Sequence, residues 1–244
     1  MHIEAVLFDL FDTLLLIEGS EDDGNENFYK PSLRKLHEVL VRNRVGVSLE
    51  EFSRAYFDVR NRFYAETRQS LEEPHMTVRL AQTMYSLGYR FDASDRVIVA
   101  ASEAFAEEFM RYVRLDQDAH DVLQRLQGKY KLGIVSNAFV PETVWKLLEK
   151  YELRRFFDVV MISGEINRRK PHAEIFERAL EAIGVPAFDA VFVGDMVSLD
   201  VVGAKNVGMK AILIERRPTD EAANAKPDYT IKRLKELPMV LEDC

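Results

Sequence analysis

The 244 residues carry a formal net charge of −8, with 47% hydrophobic and 30% charged side chains, which suits a soluble globular chain long enough for a substantial core and a second, smaller unit. The acidic balance opposes nonspecific binding to nucleic acid or to an anionic membrane surface, no apolar run approaches the ~18–20 residues of a membrane span, and no signal-like segment opens the chain, so a cytoplasmic protein is expected. The single cysteine, Cys244, excludes an intramolecular disulfide and a Cys-rich metal site, and the five scattered histidines show no metal-ligand spacing.

The first element is an apolar run, Ala5 to Phe8 with Ile3 before it, which reads as a strand buried on both faces. Its carboxyl end delivers Asp9 to the rim of a parallel sheet, where open α/β sheets place their ligands. A carboxylate emerging from a buried strand is costly unless compensated. Two readings of Asp9-Leu10-Phe11-Asp12-Thr13 stay open at this point: a carboxylate capping a turn, and a nucleophile held beside a metal ion.

The polar stretch Glu18 to Asn27 reads as a linker. Helical stripes follow: Leu33, Leu36, Val39 and Leu40; Phe52, Ala55, Tyr56, Val59 and Phe63 behind a Ser48–Glu51 capping box; Met76, Leu80, Met84 and Leu87 with Gly88 as the stop; then Val97, Ala101, Phe105 and Phe109. These predict a compact helical bundle. From Ala119 the pattern changes to helix–strand alternation, with strands at Lys131–Val135, Phe157–Ser163, Ala190–Val193 and Ala211–Ile214, a helix opened by Pro141, and a last short strand and helix between Lys226 and Leu241. A doubly wound parallel sheet of the α/β class is therefore expected.

Each of the principal strands ends in polar residues: Asp9, then Ser136-Asn137, then Arg169-Lys170-Pro171, then Gly194-Asp195 followed by Asp200. This ordered set, with its flanks Gly164-Glu165-Ile166 and Gly203-Ala204, resembles the four motifs of the haloacid dehalogenase superfamily. The resemblance covers the whole core. It implies a Rossmann-like core at 1–16 and 115–244 with a helical cap inserted at 17–114, an Asp nucleophile at Asp9, a charge-offsetting Lys170, and a Mg²⁺ site at Asp9, Asp195 and the backbone carbonyl of Phe11. Thr13, Ser136, Asn137 and Lys170 are then the residues toward phosphate, with Asp200 behind the metal ligands.

The resemblance fails at one position. The superfamily's phosphatases carry an acid–base carboxylate two residues after the nucleophile, and here that residue is Phe11, which cannot carry a proton. The metal-free haloacid dehalogenases have an aromatic residue there, yet they lack the acid at the position of Asp195. The expected function is a Mg²⁺-dependent, phosphatase-like hydrolase of a small anionic metabolite; a metal-independent 2-haloacid dehalogenase and a weakly active binding protein are the rivals. Arg60, Arg62 and Arg68 offer a substrate-carboxylate clamp, but charges beside an apolar stripe normally lie on a helix's wet face. Likewise Arg168 and Arg169 read as surface residues and Trp145 as core, while Tyr29, Lys30, Phe57 and Tyr64 either line the cleft or pack within the bundle, the second being the reading preferred.

Overall fold

The computed structural model describes residues 3–18, 26–216 and 225–242; most of the expected linker, and Cys244, lie outside them. In chain order the elements are β1 (Ala5–Phe8), β2 (Leu15–Ile17), α1 (Glu26–Arg42), α2 (Leu49–Glu66), α3 (Met76–Ser86), α4 (Arg96–Phe109), β3 (Val113–Leu115), α5 (Ala119–Leu126), β4 (Lys131–Ser136), α6 (Pro141–Lys150), β5 (Val159–Ile162), α7 (Ser163–Ile166), α8 (Ala173–Ile183), β6 (Ala190–Gly194), α9 (Val202–Asn206), β7 (Lys210–Ile214), β8 (Tyr229–Ile231) and α10 (Leu237–Glu242). No helix among the described residues is long and apolar enough to cross a membrane.

Six strands form one parallel sheet in the order β5-β4-β1-β6-β7-β8. The chain runs outward from β1 through β4 to β5, then returns to the other side of β1 and continues through β6, so the winding reverses at β1. That reversal opens a crevice at the carboxyl ends of the central strands. Phe8 pairs with both Ile134 and Val193, which brings Asp9 level with Val135 and Gly194 and sets Ser136 and Asp195 one step beyond.

Alternation along the strands fills both faces. Val6, Phe8, Ile134 and Val193 pack with residues of α5, α6 and α10, whereas Leu7, Val135 and Phe192 pack with α8 and α9. Side chains of this size contribute roughly 1.5–3 kcal/mol each when fully buried, so the central strands are firmly anchored below the crevice.

Between β2 and β3 the chain makes an insertion of four helices, α1 to α4, around their own apolar cluster, which includes Leu33, Leu36, Phe52, Tyr56, Met76 and Ile98. Both chain crossings lie in one antiparallel ribbon, with Leu15 opposite Leu115 and Ile17 opposite Val113. Local signals hold here: the Ser48–Glu51 capping box forms in both directions, and Gly88 follows α3 with φ +86°, a conformation costly for any residue with a Cβ.

Arg169 is a correction to the reading of it as a surface residue. Its guanidinium reaches into the turn between α2 and α3, donating to Thr67 Oγ1 at 3.2 Å, to the Thr67 carbonyl at 3.4 Å, and to the Glu72 carbonyl. Its backbone N–H donates to the Leu71 carbonyl at 2.8 Å, and Asn167 Oδ1 accepts the Glu73 N–H at 3.0 Å. Beneath this turn lies a buried Arg79–Glu73 ion pair, with Arg79 stacked 4.7 Å over Phe139. Trp145 sits at the core's edge rather than within it, its indole N–H donating to Glu165 at 2.7 Å.

Arg169→Ala should remove the donor of the Glu72 carbonyl and leave the Thr67 carbonyl with the Leu71 N–H alone, destabilising this contact by about 1–3 kcal/mol. Amide exchange of residues 67–73 should accelerate while β1 and β4 stay protected. Unchanged exchange in that segment would show that the turn holds without Arg169.

Candidate active site

Asp9 leaves β1 with its backbone N–H bonded to the Val193 carbonyl at 2.8 Å, so the sheet ladder continues one residue past the strand. The chain then turns tightly. Leu15 N–H donates to the Leu10 carbonyl at 2.9 Å and Asp12 N–H to the Leu15 carbonyl at 2.5 Å, bonds that bypass the Phe11 carbonyl. Asp12 takes φ 56°, a left-handed conformation that Asp tolerates better than most side chains, and its Oδ1 accepts the Ile17 N–H at 3.0 Å.

Lys170, only 2% exposed, lies across the crevice from Asp9. Its Nζ donates to Asp9 Oδ1 at 2.5 Å and to Asp200 Oδ1 at 2.7 Å. Asn137 fixes the lysine's backbone from the adjoining strand end, with Oδ1 accepting the Lys170 N–H at 2.8 Å and Nδ2 donating to its carbonyl at 3.3 Å. Asp200 sits on a π-helical turn, Val197–Val201, and its Oδ2 accepts the Met196 N–H at 2.9 Å. Gly194 makes this possible: a Cβ there would lie 2.4 Å from the Asp200 carboxylate.

Burial drives Asp9 upward to about 6, against the neighbouring Lys170 ammonium and with help from the Asp200 charge. For Lys170 burial acts to lower the pKa, but the combined pull of Asp200 and Asp9 outweighs it and the group is held protonated.

Asp9, Asp195 and Asp200 each present an oxygen within 4.8 Å of the others, an all-oxygen set of the kind hard divalent cations take. Carboxylates outnumber the ammonium in this buried cluster, a condition that favours an added cation. Both Asp200 oxygens are closely engaged, by Lys170 at 2.7 Å and by the Met196 amide at 2.9 Å, whereas Asp9 Oδ2 has only a 3.4 Å contact with Thr13, so the donors that fit a metal are Asp9 and Asp195.

Of the residues singled out from the sequence, Asp9, Phe11, Asn137, Lys170, Asp195 and Asp200 line one cavity of about 510 Å³. Thr13 and Ser136 stand behind this wall. Thr13 Oγ1 donates to Asp9 Oδ2 at a long 3.4 Å, and Ser136 Oγ is buried with no hydrogen-bond partner among the described residues. The Ala138 N–H, the next amide along, is committed to Ser163 Oγ at 2.9 Å.

The rest of the cavity wall is mostly apolar, with Asp12 and Thr143 among its polar members, and comes largely from the helical insertion. Phe28, Tyr29, Phe105 and Phe109 line it with Phe11 and Phe139, and Arg60 and Tyr64 enter from α2. Arg60 thus departs from its expected place on a wet face, while Tyr29 packs within the bundle and lines the cavity at once. Arg62 and Arg68 are exposed, as is Lys30, while Phe57 stacks under Arg60 at 4.8 Å. Phe105 and Phe109 read as core because an apolar stripe looks the same whether it faces protein or cavity.

A family model described as haloacid dehalogenase-like hydrolase matches residues 3–208. The glyceraldehyde 3-phosphate phosphatase of Pyrococcus furiosus is 28% identical over 242 residues, 99% of this chain and 92% of that protein. The N-acylneuraminate-9-phosphatase of Rattus norvegicus is 24% identical over 256 residues, 100% of this chain and 96% of that protein. Among solved structures, a HAD phosphatase from Thermococcus onnurineus superposes with a TM-score of 0.62 at 28% identity over 98% of both chains. A 2-haloacid dehalogenase from Pseudomonas syringae superposes with a TM-score of 0.76 at 23% identity over 99% of both, a likeness of fold alone. The order of the motifs, the sheet that reverses at β1 and these matches agree, and the chain belongs to the haloacid dehalogenase-like hydrolases.

Proposed function

We propose that this hydrolase is a Mg²⁺-dependent phosphatase of a small phosphorylated metabolite, working through an aspartyl-phosphate at Asp9, with the segment 17–114 as a cap over the site. The observation that carries the reading is the buried cluster of Asp9, Lys170, Asp195 and Asp200 at the sheet's winding reversal. The phosphatase names of the relatives from Pyrococcus furiosus and Rattus norvegicus support phosphoryl chemistry and a small substrate.

In this reading Asp9 attacks phosphorus, and Lys170 offsets charge on the carboxylate and on the transferring group. The Asn137 backbone N–H and, from behind the wall, the unpartnered Ser136 hydroxyl are the donors toward phosphate oxygens, and Thr13 orients Asp9. Asp200 touches neither substrate nor metal and positions the Lys170 ammonium. Mg²⁺ held by Asp9, Asp195 and the Phe11 backbone carbonyl supplies the charge neutralisation that the crowded oxygens need. Haloacid dehalogenation is the second reading, favoured by Phe11 alone, since a leaving halide takes no proton.

Asp195→Asn should weaken Mg²⁺ binding more than about tenfold and depress phosphatase activity with it. Calorimetry is the measurement. Equal affinity in the variant would remove the metal assignment and make halide release from 2-haloacids the next assay.

Gly194→Ala should press on the Asp200 carboxylate and shift Lys170, since the added Cβ would meet it at 2.4 Å. A misplacement near 1 Å at the chemistry costs about 10²-fold, so kcat should fall by that order with Mg²⁺ affinity largely kept. Wild-type kcat in a folded Gly194→Ala protein would deny Asp200 its positioning role.

A further inference from the structure

Two independent features of the cavity describe the part of the substrate that departs. The first is Phe11, which puts an aromatic ring where a proton donor would serve the leaving oxygen. The second is the wall around it: the Phe11 ring meets Phe109 at 5.6 Å, Phe109 meets Phe28 at 5.0 Å, Phe28 meets Tyr29 at 5.7 Å, and Tyr29 meets Phe105 at 5.4 Å. Edge and tilted contacts of this kind leave ring faces and edges available to a flat guest.

Among the described residues that line the cavity, the phenols and Asp12 are engaged with other groups. The Tyr29 hydroxyl lies 3.1 Å from that of Tyr56, whose own proton goes to Met76 Sδ at 3.4 Å, and burial raises the Tyr29 phenol above its ordinary value, making it a weaker acid. Asp12 is turned to the Ile17 amide. Tyr64 lies under the guanidinium groups of Arg79 and Arg169, at 5.3 and 5.0 Å.

At the cap side Arg60 supplies a positive charge. Its guanidinium stacks 4.8 Å over Phe57 and 5.7 Å over Tyr29, bonds to the neutral Asn61 side chain, and makes no ion pair with a carboxylate among the described residues. A cation held flat on two rings, facing a largely apolar cavity, is placed to receive an anion from the ligand.

We propose, building on the phosphatase reading, that the substrate is an aryl phosphate whose ring carries a carboxylate: the phosphoryl group lies at Asp9, the ring against the Phe11–Phe109–Phe28 wall, and the carboxylate at Arg60. Asp9 oxygen bonds to phosphorus as the phosphorus–aryl oxygen bond breaks, and the aryl oxygen leaves with the electron pair. A phenol ionises near ~10, far below an alkanol, so this departure needs no proton donor. Water then attacks the aspartyl-phosphate, phosphate leaves, Asp9 is regenerated, and the proton lost by water is taken up by the phenoxide.

The test is steady-state kinetics of the Mg²⁺-loaded enzyme on phenyl phosphate, 4-carboxyphenyl phosphate, a series of ring-substituted phenyl phosphates, and glyceraldehyde 3-phosphate as an alkyl ester. Aryl esters should exceed the alkyl ester in kcat/KM by about 10²-fold or more, with rates rising steeply as the phenol becomes more acidic. Carboxyphenyl phosphate should have the lower KM of the two parent aryl esters. Arg60→Met, which keeps the stem and deletes the charge, should shrink that KM ratio about tenfold, and Arg60→Lys should restore part of it. An alkyl ester turned over as fast as the aryl esters, or a KM ratio unmoved by Arg60→Met, would overturn the proposal while leaving the phosphatase reading intact. Phosphate release from none of these esters, with halide released from 2-haloacids, would overturn both.

Discussion

A fully buried ammonium is the constraint on which the site depends. Removing Lys170 and its two carboxylate partners from water costs several kcal/mol per ion, and only close, well-directed contacts offset that. Asp9 and Asp200 provide them at 2.5 and 2.7 Å. Three distant pieces of chain must therefore meet at one point: the end of β1, the loop after α7, and the π turn after β6. Gly194 contributes by having no side chain, because Asp200 occupies the space a Cβ would take. Asn137 contributes by holding both the N–H and the carbonyl of Lys170, which fixes the backbone from which the ammonium extends.

The same loop ties the site to the helical insertion. Lys170 turns toward the sheet rim while its neighbour Arg169 turns the other way, into the α2–α3 turn. Displacing that turn pulls on the residue next to the ammonium. Met76 N–H reaches the Phe139 carbonyl at 2.9 Å, so the loop after β4 is tied to α3 as well. Insertion and rim thus share two of the loops that border the cavity.

The strands and their polar ends were legible because a strand buried on both faces leaves a continuous apolar run in the sequence, and the run stops where the crevice begins. The capping box at Ser48 and the left-handed Gly88 were legible because their causes are local. Arg60 and Arg169 were not. A guanidinium on a helix or loop carries the same letter whether it meets water, a ring face or a buried carbonyl, and only the packing of distant segments decides. The π turn was hidden for a related reason: the Asp200 it carries pairs with a lysine thirty positions away. Trp145 read as core because its ring is apolar, although its N–H needs a partner, and Glu165 at the edge provides one.

Phe11 separates two requirements that a single residue often serves together. Its backbone is held by the turn between Leu10, Asp12 and Leu15, whose hydrogen bonds are independent of the side chain at position 11. In the proposed reaction the anion side of the site, with Asp9, Lys170 and Asp195, therefore tolerates an aromatic ring at that position unchanged. The loss falls on proton transfer, to the leaving oxygen first and from the attacking water after it. A ring there also completes an aromatic wall begun by Phe28 and Phe109, so the same substitution that removes a proton donor improves the fit of a flat leaving group. Selectivity and chemistry are then set by one side chain in the same direction, toward substrates whose departing oxygen is already weakly basic.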